Sequence, residues 1–121
     1  MIRRMLLTAA MIAGSLAAAD PAVDQAKKMI GDKKYDEAIT QLEAAHKKKA
    51  TPELKKTLVE AYLAKGDSYM YNDALPPRAK YPTALRSYRE VLKYDKENKK
   101  AKEGVSTIEG IYKSMNRPVP E

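Results

Sequence analysis

The chain has 121 residues, of which 44% are hydrophobic and 32% are charged, a composition typical of one globular domain. It contains no cysteine, which excludes disulfides, thiol nucleophiles and cysteine-bound metals, so a hydrophobic core must stabilise the fold. The formal net charge of +7 favours acidic partners or anionic surfaces, although a solvated helix exterior is the simpler interpretation.

The first 19 residues have the layout of a secretory signal peptide. Arg3 and Arg4 form a short basic region, an apolar run spans residues 5–14, and small residues end at Ala19. We predict cleavage before Asp20, a periplasmic or secreted protein, and no stable membrane insertion afterwards. A retained anchor is the alternative, but the apolar run is shorter than the roughly 20 residues that a spanning helix needs. The cleaved chain keeps 21 basic residues against 16 acidic ones, a net charge of +5.

Two helices are predicted at the start of the exported chain. The first spans about Pro21 to Ile30, residues 31–34 form a turn, and the second spans about Tyr35 to Lys48. Acidic residues begin the second helix and lysines end it, as the helix dipole favours. Its inward stripe at helical spacing consists of Ala38, Ile39, Leu42 and Ala45.

A third, longer helix is predicted from Pro52 to about Asn72, with Thr51 as its N-cap. Two adjacent apolar stripes along it indicate neighbouring helices on two sides. The three prolines in residues 73–82 predict a stiff loop, which serves either as a recognition element or as a brace. Pro82 is expected to set the first turn of the next helix.

Two more helices follow this loop. The stretch from Tyr81 to Asp95 is amphipathic, and the last helix runs from about Lys99 to Ser114. The predicted inward residues of the two helices are Ala84, Leu85, Tyr88, Val91, Leu92, Ala101, Val105, Ile108, Tyr112 and Met115. Residues 116–121 carry no helix signal and are predicted to form a flexible tail.

The pattern Tyr-x-x-Ala-[Ile/Leu]-x-x-[Leu/Tyr] occurs twice, starting at Tyr35 and at Tyr81. In addition, Ala26, Ala38 and Ala45 stand twelve and then seven residues apart. These features resemble the tetratricopeptide repeat (TPR), a helix-turn-helix unit of roughly 34 residues. The resemblance covers residues 22 to about 112, and the second unit departs from the pattern by about six inserted residues.

The resemblance implies an all-α fold, an α-solenoid of two TPR-like hairpins plus a C-terminal capping helix within residues 20–115. In this family the first helix of each repeat lines a concave groove. By that resemblance, the partner-binding candidates are Lys27, Lys28, Lys55, Tyr62, Lys65 and Tyr69.

No catalytic, cofactor or metal site is predicted. His46 is the only histidine, so a catalytic triad with a second base or a multi-histidine metal site cannot be assembled. We therefore expect a non-enzymatic protein–protein interaction module, an adaptor or scaffold in the periplasm or cell envelope that binds an acidic protein or peptide. Lysines with tyrosines also suit single-stranded nucleic acid, but the export signal argues against that partner. The alternatives are a self-associating structural subunit and an accessory subunit of an envelope enzyme.

Overall fold

The computed structural model describes residues 20–121, in which all regular structure is helical. The five helices are α1 (Pro21–Gly31), α2 (Tyr35–Lys48), α3 (Pro52–Met70), α4 (Pro77–Tyr94) and α5 (Lys99–Ser114). The predicted all-α fold is thus confirmed for the described residues. The predicted signal peptide and the scissile bond after Ala19 lie outside them. Within residues 20–121, no helix is long and apolar enough to cross a membrane.

Side-chain caps set the start of three helices. Asp20 accepts a hydrogen bond from the Ala22 amide at 2.9 Å, and Thr51 accepts one from the Leu54 amide at 3.1 Å. Asn98 caps α5 in the same way. α4 has no side-chain cap and begins instead with a proline at its first helical position, where no backbone donor is needed.

Left-handed residues end α1 and α5. At the end of α1, Lys33 has φ 64°, its amide donates to Ile30, and the Lys34 amide donates to Met29 at 2.8 Å. These two bonds make a Schellman motif, which satisfies carbonyls that the helix leaves open. α5 ends in the same motif around Asn116, whose φ is 58°. The chain therefore turns sharply away from both helix axes.

Each helix packs against the next one, and α1 also contacts α3, with the most extensive contact between α3 and α4. Ala38 and Ala84, both predicted to face inward, are fully buried. Of the predicted inward residues, Met115 is wrong, because 43% of it is exposed at the end of α5. The buried hydrophobic core consists of Val23, Ala26, Ala38, Ile39, Leu42, Leu54, Leu58, Ala61, Tyr62, Ala84, Leu85, Tyr88, Val91, Ala101, Ile108 and Tyr112.

Tyr88 of α4 connects three helices. Its ring lies against Gly66 of α3 and Gly104 of α5, and a Cβ atom added at either glycine would come within 2.7 Å or 2.5 Å of the ring. Its hydroxyl donates to Asp67 Oδ1 at 2.6 Å, and Lys100 of α5 donates to Asp67 Oδ2 at 2.8 Å. Burial, and after it the hydrogen bond to Asp67, raises the pKa of the Tyr88 phenol above its ordinary range.

The loop before α4 is shorter than predicted. The prediction that Pro82 opens this helix is wrong: α4 begins at Pro77 and contains Pro82 in its interior. Pro82 has no amide hydrogen, so the Arg78 carbonyl lacks its usual partner four residues on, a defect that typically costs about 3 kcal/mol. All the buried residues of α4 follow Pro82, from Ala84 to Val91, and only half-buried residues such as Tyr81 precede it. The extensive packing of α4 on α3 offsets the cost of the missing bond.

The segment after α5 returns to the helices. Residues 116–121 contain no helix, as expected from the sequence, but Val119 packs against the hydrophobic core. The Pro120 carbonyl accepts a hydrogen bond from Arg89 Nη1 of α4 at 2.9 Å. The predicted flexible tail therefore has defined contacts in the structure.

Candidate functional site

An open cleft of about 450 Å³ lies between α3 and α4, and we call it the α3–α4 cleft. α4 supplies most of its wall, because residues at spacings of three and four lie on one face of a helix. Two residues of α3 and one residue after α5 complete it. The lining residues are Tyr62, Lys65, Thr83, Arg86, Ser87, Arg89, Glu90, Lys93 and Glu121.

Cations outnumber carboxylates in this lining by four to two. Two of the four cations have close partners: Lys65 pairs with Asp36 of α2 at 2.6 Å, and Lys93 pairs with Glu90 at 2.5 Å. The hydrogen bond with Glu90 raises the pKa of Lys93, because it favours the charged form of the amine. Because Asp36 is 77% exposed, its pair with Lys65 is accessible to solvent and weak.

The two arginines differ in how they are held. Arg89 lies 3.7 Å from Glu109 of α5 and donates to the Pro120 carbonyl, so its guanidinium is held from two sides. Arg86 donates only a long hydrogen bond, 3.3 Å, to Thr83 of its own helix. It has no carboxylate partner among the described residues. Arg86 is therefore the cation of the cleft that is most available to an incoming anion.

Aromatic side chains extend along one side of the cleft and join α2, α3 and α4. Tyr62 is 8% exposed, and its hydroxyl donates to Glu43 of α2. Its ring stacks on Tyr94 of α4 with the ring centroids 6.3 Å apart, and Tyr94 makes a T-shaped contact with His46 at 5.7 Å. Burial, and after it the hydrogen bond to Glu43, raises the pKa of the Tyr62 phenol. The phenol therefore stays protonated and holds its carboxylate partner in place.

Two further cavities adjoin the cleft and extend it along α3. Lys65 lines both the cleft and a cavity of about 270 Å³ that also contains Tyr69. Lys93 lines both the cleft and a cavity of about 560 Å³ that also contains Lys55. The four predicted partner-binding residues of α3 thus lie along one continuous surface: Lys55, Tyr62, Lys65 and Tyr69.

The other two predicted residues lie elsewhere. Lys27 and Lys28 are exposed on α1 and line none of these three cavities. Conversely, the partner-binding residues predicted from the sequence did not include Arg86, Arg89 and Lys93, because these residues were expected on the solvent face of an amphipathic helix. Their spacing of three and four residues places them on one side of α4, and this was the signal available.

The chemistry of the cleft is that of an anion-binding surface. Within residues 20–121, no group of three or more histidine, aspartate or glutamate side chains is placed to hold a metal ion. Guanidinium and ammonium groups beside partly buried tyrosines suit carboxylates on an extended chain, which uses both charge and apolar contact.

Comparisons with protein-family models, with curated proteins and with solved structures found no match for this chain. The fold and the cleft define the class to which the described residues belong: an all-α protein with an open, cationic cleft on one side of its two longest helices. The function is inferred from the chemistry of that cleft.

Proposed function

We propose that this protein is an exported, TPR-like interaction module, an adaptor that binds an acidic, extended segment of an envelope protein in the α3–α4 cleft. The observation that carries the proposal is the cluster of four cationic side chains against two carboxylates in one open cleft. The pairing of α1 with α2 and of α3 with α4, together with the α1–α3 contact, supports a repeat of two hairpins.

The charges and the aromatic rings of the cleft have different roles. Arg86 and Lys93 are exposed, so they mainly raise the association rate and make binding sensitive to salt. Tyr62 lines the same cleft and the half-buried Tyr69 lines the adjoining cavity, so their rings supply apolar contact with the bound chain. In the proposed adaptor, the cations attract the partner segment before contact, and the tyrosines contribute contact energy once it is bound.

The test compares charge reversal inside and outside the cleft, using a fluorescein-labelled decapeptide of alternating glutamate and serine. Arg86→Glu should weaken binding roughly three- to tenfold at low salt, as expected for an exposed pair whose attraction becomes repulsion. It should also flatten the salt dependence of the dissociation constant measured by fluorescence anisotropy. Lys28→Glu makes the same change in net charge on α1 and should change binding less than twofold.

Equal losses in the two variants would show that overall charge, and not the cleft, attracts the peptide. Oligomers that grow with concentration in light scattering would favour the self-associating structural subunit instead. The export part of the proposal has its own test, since mass spectrometry of the native protein should find Asp20 at its N-terminus. A chain that keeps Met1 would contradict export with cleavage.

A further inference from the structure

We infer that residues 117–121 (Arg-Pro-Val-Pro-Glu) are a tethered competitor at one end of the α3–α4 cleft, where Glu121 forms part of the wall, and that a partner segment of the same chemistry displaces them. This inference rests on the proposed function of the cleft. It adds two points to that function: which kind of acidic segment binds, and what the segment must displace.

The end of α5 directs this segment toward α4. Asn116 adopts φ 58°, and the amide of Arg117 donates back to the Tyr112 carbonyl at 3.0 Å, so the chain turns off the helix axis. Pro118 and Pro120 fix their own φ and favour an extended backbone at the residues before them, Arg117 and Val119. The turn and the prolines together present residues 117–121 as an extended chain.

Three contacts seat the 117–121 segment. Val119 is half-buried against the core, the Pro120 carbonyl accepts from Arg89 Nη1, and Glu121 lines the α3–α4 cleft. The segment therefore places a carboxylate beside the cationic wall that contains Arg86. No ion pair between Glu121 and a cleft cation is found among the described residues. With one apolar side chain and one hydrogen bond, the segment is held weakly enough to be displaced.

The seated segment indicates the chemistry of its competitor. An extended backbone with prolines loses little entropy on binding, a carbonyl faces Arg89, and an apolar side chain precedes an acidic one. The partner segment that fits is therefore extended, contains proline and carries an acidic residue after an apolar one. A partner must also displace the 117–121 segment, so its apparent affinity is reduced by the fraction of time that the cleft is open.

The experiment releases the segment in the full exported chain and measures binding of a labelled probe, acetyl-Gly-Pro-Val-Pro-Glu-amide, by fluorescence anisotropy. Val119→Ser removes the apolar anchor and should tighten binding about three- to tenfold, the range expected if the cleft is open for between a tenth and a third of the time. Met115→Ser is the matched control. It replaces an exposed apolar residue two positions before the segment and should leave the affinity unchanged.

A second measurement needs no substitution. Adding the probe to the unaltered chain should move the NMR signals of the Val119 methyl groups toward the positions of an unfolded peptide, because the segment leaves its seat. Unchanged methyl signals at saturating probe, or equal affinities of Val119→Ser and the parent, would overturn the inference that a partner segment displaces residues 117–121. If the glutamate–serine decapeptide binds in an Arg86-dependent way while the proline probe does not bind, the inference fails and the proposed function stands. If neither peptide binds, both fail.

Discussion

Tyr88 donates its phenolic hydrogen to Asp67 across the α3–α4 contact at 2.6 Å, and this pair holds α5 as well. The second carboxylate oxygen of Asp67 accepts from Lys100 of α5 at 2.8 Å. The ring of Tyr88 meanwhile occupies the space between Gly66 and Gly104. A single side chain and its acceptor thus determine how closely three helices approach, and two glycines are required for that approach.

Substitution of these glycines should destabilise the fold even though alanine is the better helix former. A methyl group at Gly66 or Gly104 would overlap the Tyr88 ring, and such overpacking typically costs about 1–3 kcal/mol. This cost exceeds the gain of about 1 kcal/mol in helix propensity. We therefore expect Gly66→Ala and Gly104→Ala to lower the urea midpoint monitored by circular dichroism at 222 nm.

Gly110 of α5 is the control for both glycine variants. Nothing lies within 4 Å of a Cβ atom added there, so Gly110→Ala should raise the free energy of unfolding by up to about 1 kcal/mol. If Gly104→Ala stabilises the chain as Gly110→Ala does, the Tyr88 ring does not lie against α5.

Alkaline pH should destabilise the protein through Tyr88 and Tyr62. Their phenol pKa values are raised, first by burial and then by hydrogen bonds to carboxylates, whereas the unfolded phenols titrate near pH 10. Above about pH 10 the unfolded chain loses protons that the folded chain keeps, so stability that is fully present below this pH decreases as the pH rises. The urea midpoint of the parent should fall more steeply between about pH 9 and pH 11 than that of Tyr62→Phe or Tyr88→Phe. Parallel pH profiles for parent and variants would contradict this.

The turn between α1 and α2 offers a stabilising change. Lys33 has φ 64°, a conformation that costs a residue with a side chain about 1 kcal/mol and costs glycine almost nothing. Lys33→Gly should therefore raise the free energy of unfolding by about 0.5–1 kcal/mol in urea titrations. Lys34→Gly removes the same charge at φ −95°, where glycine has no advantage, and should lower it. Equal effects of the two variants would argue against the Schellman turn.

The fully buried Ala84 should not tolerate a larger side chain. Ala84→Leu places three extra carbons on the buried face of α4 and should lower the thermal midpoint, at a cost of about 1–3 kcal/mol. Ala44→Leu is the control, because Ala44 is exposed on α2 and its replacement should change stability by less than about 0.5 kcal/mol. A parent-like melting curve for Ala84→Leu would show that this face of α4 is not closely packed.

Helix positions were largely predictable because charges, caps and turn residues agreed with apolar periodicity. α2 spans Tyr35–Lys48 as predicted, with acidic residues in its first turn and basic residues in its last. α3 ends at Met70, two residues earlier than predicted, since Tyr71 already caps the helix. Pro82 was the main error, because proline commonly marks a helix start but here a further helical turn, beginning at Pro77, precedes it.

The surface around the α3–α4 cleft was predictable only within one helix. Lys55, Tyr62 and Tyr69 recur every seven residues, and this spacing alone places them on one side of α3. The position of Lys28 on α1 relative to that side depends on how the helices pack, which periodicity does not encode. Likewise, the prolines of residues 117–121 exclude a helix, but nothing in that short sequence indicates that Val119 returns to the core.

The Tyr88 contact also determines the order in which the helices assemble. α5 packs on α4, and its approach to α3 is made through the Tyr88 ring and the Lys100–Asp67 pair. α5 therefore gains all of its contacts only when α4 has docked on α3. It should therefore be the last helix to form and the first to open, with faster amide hydrogen exchange than α3. Because residues 117–121 follow α5 directly in the chain, we expect an opening of α5 to loosen the Val119 contact as well, and with it the hold of this segment on the edge of the cleft.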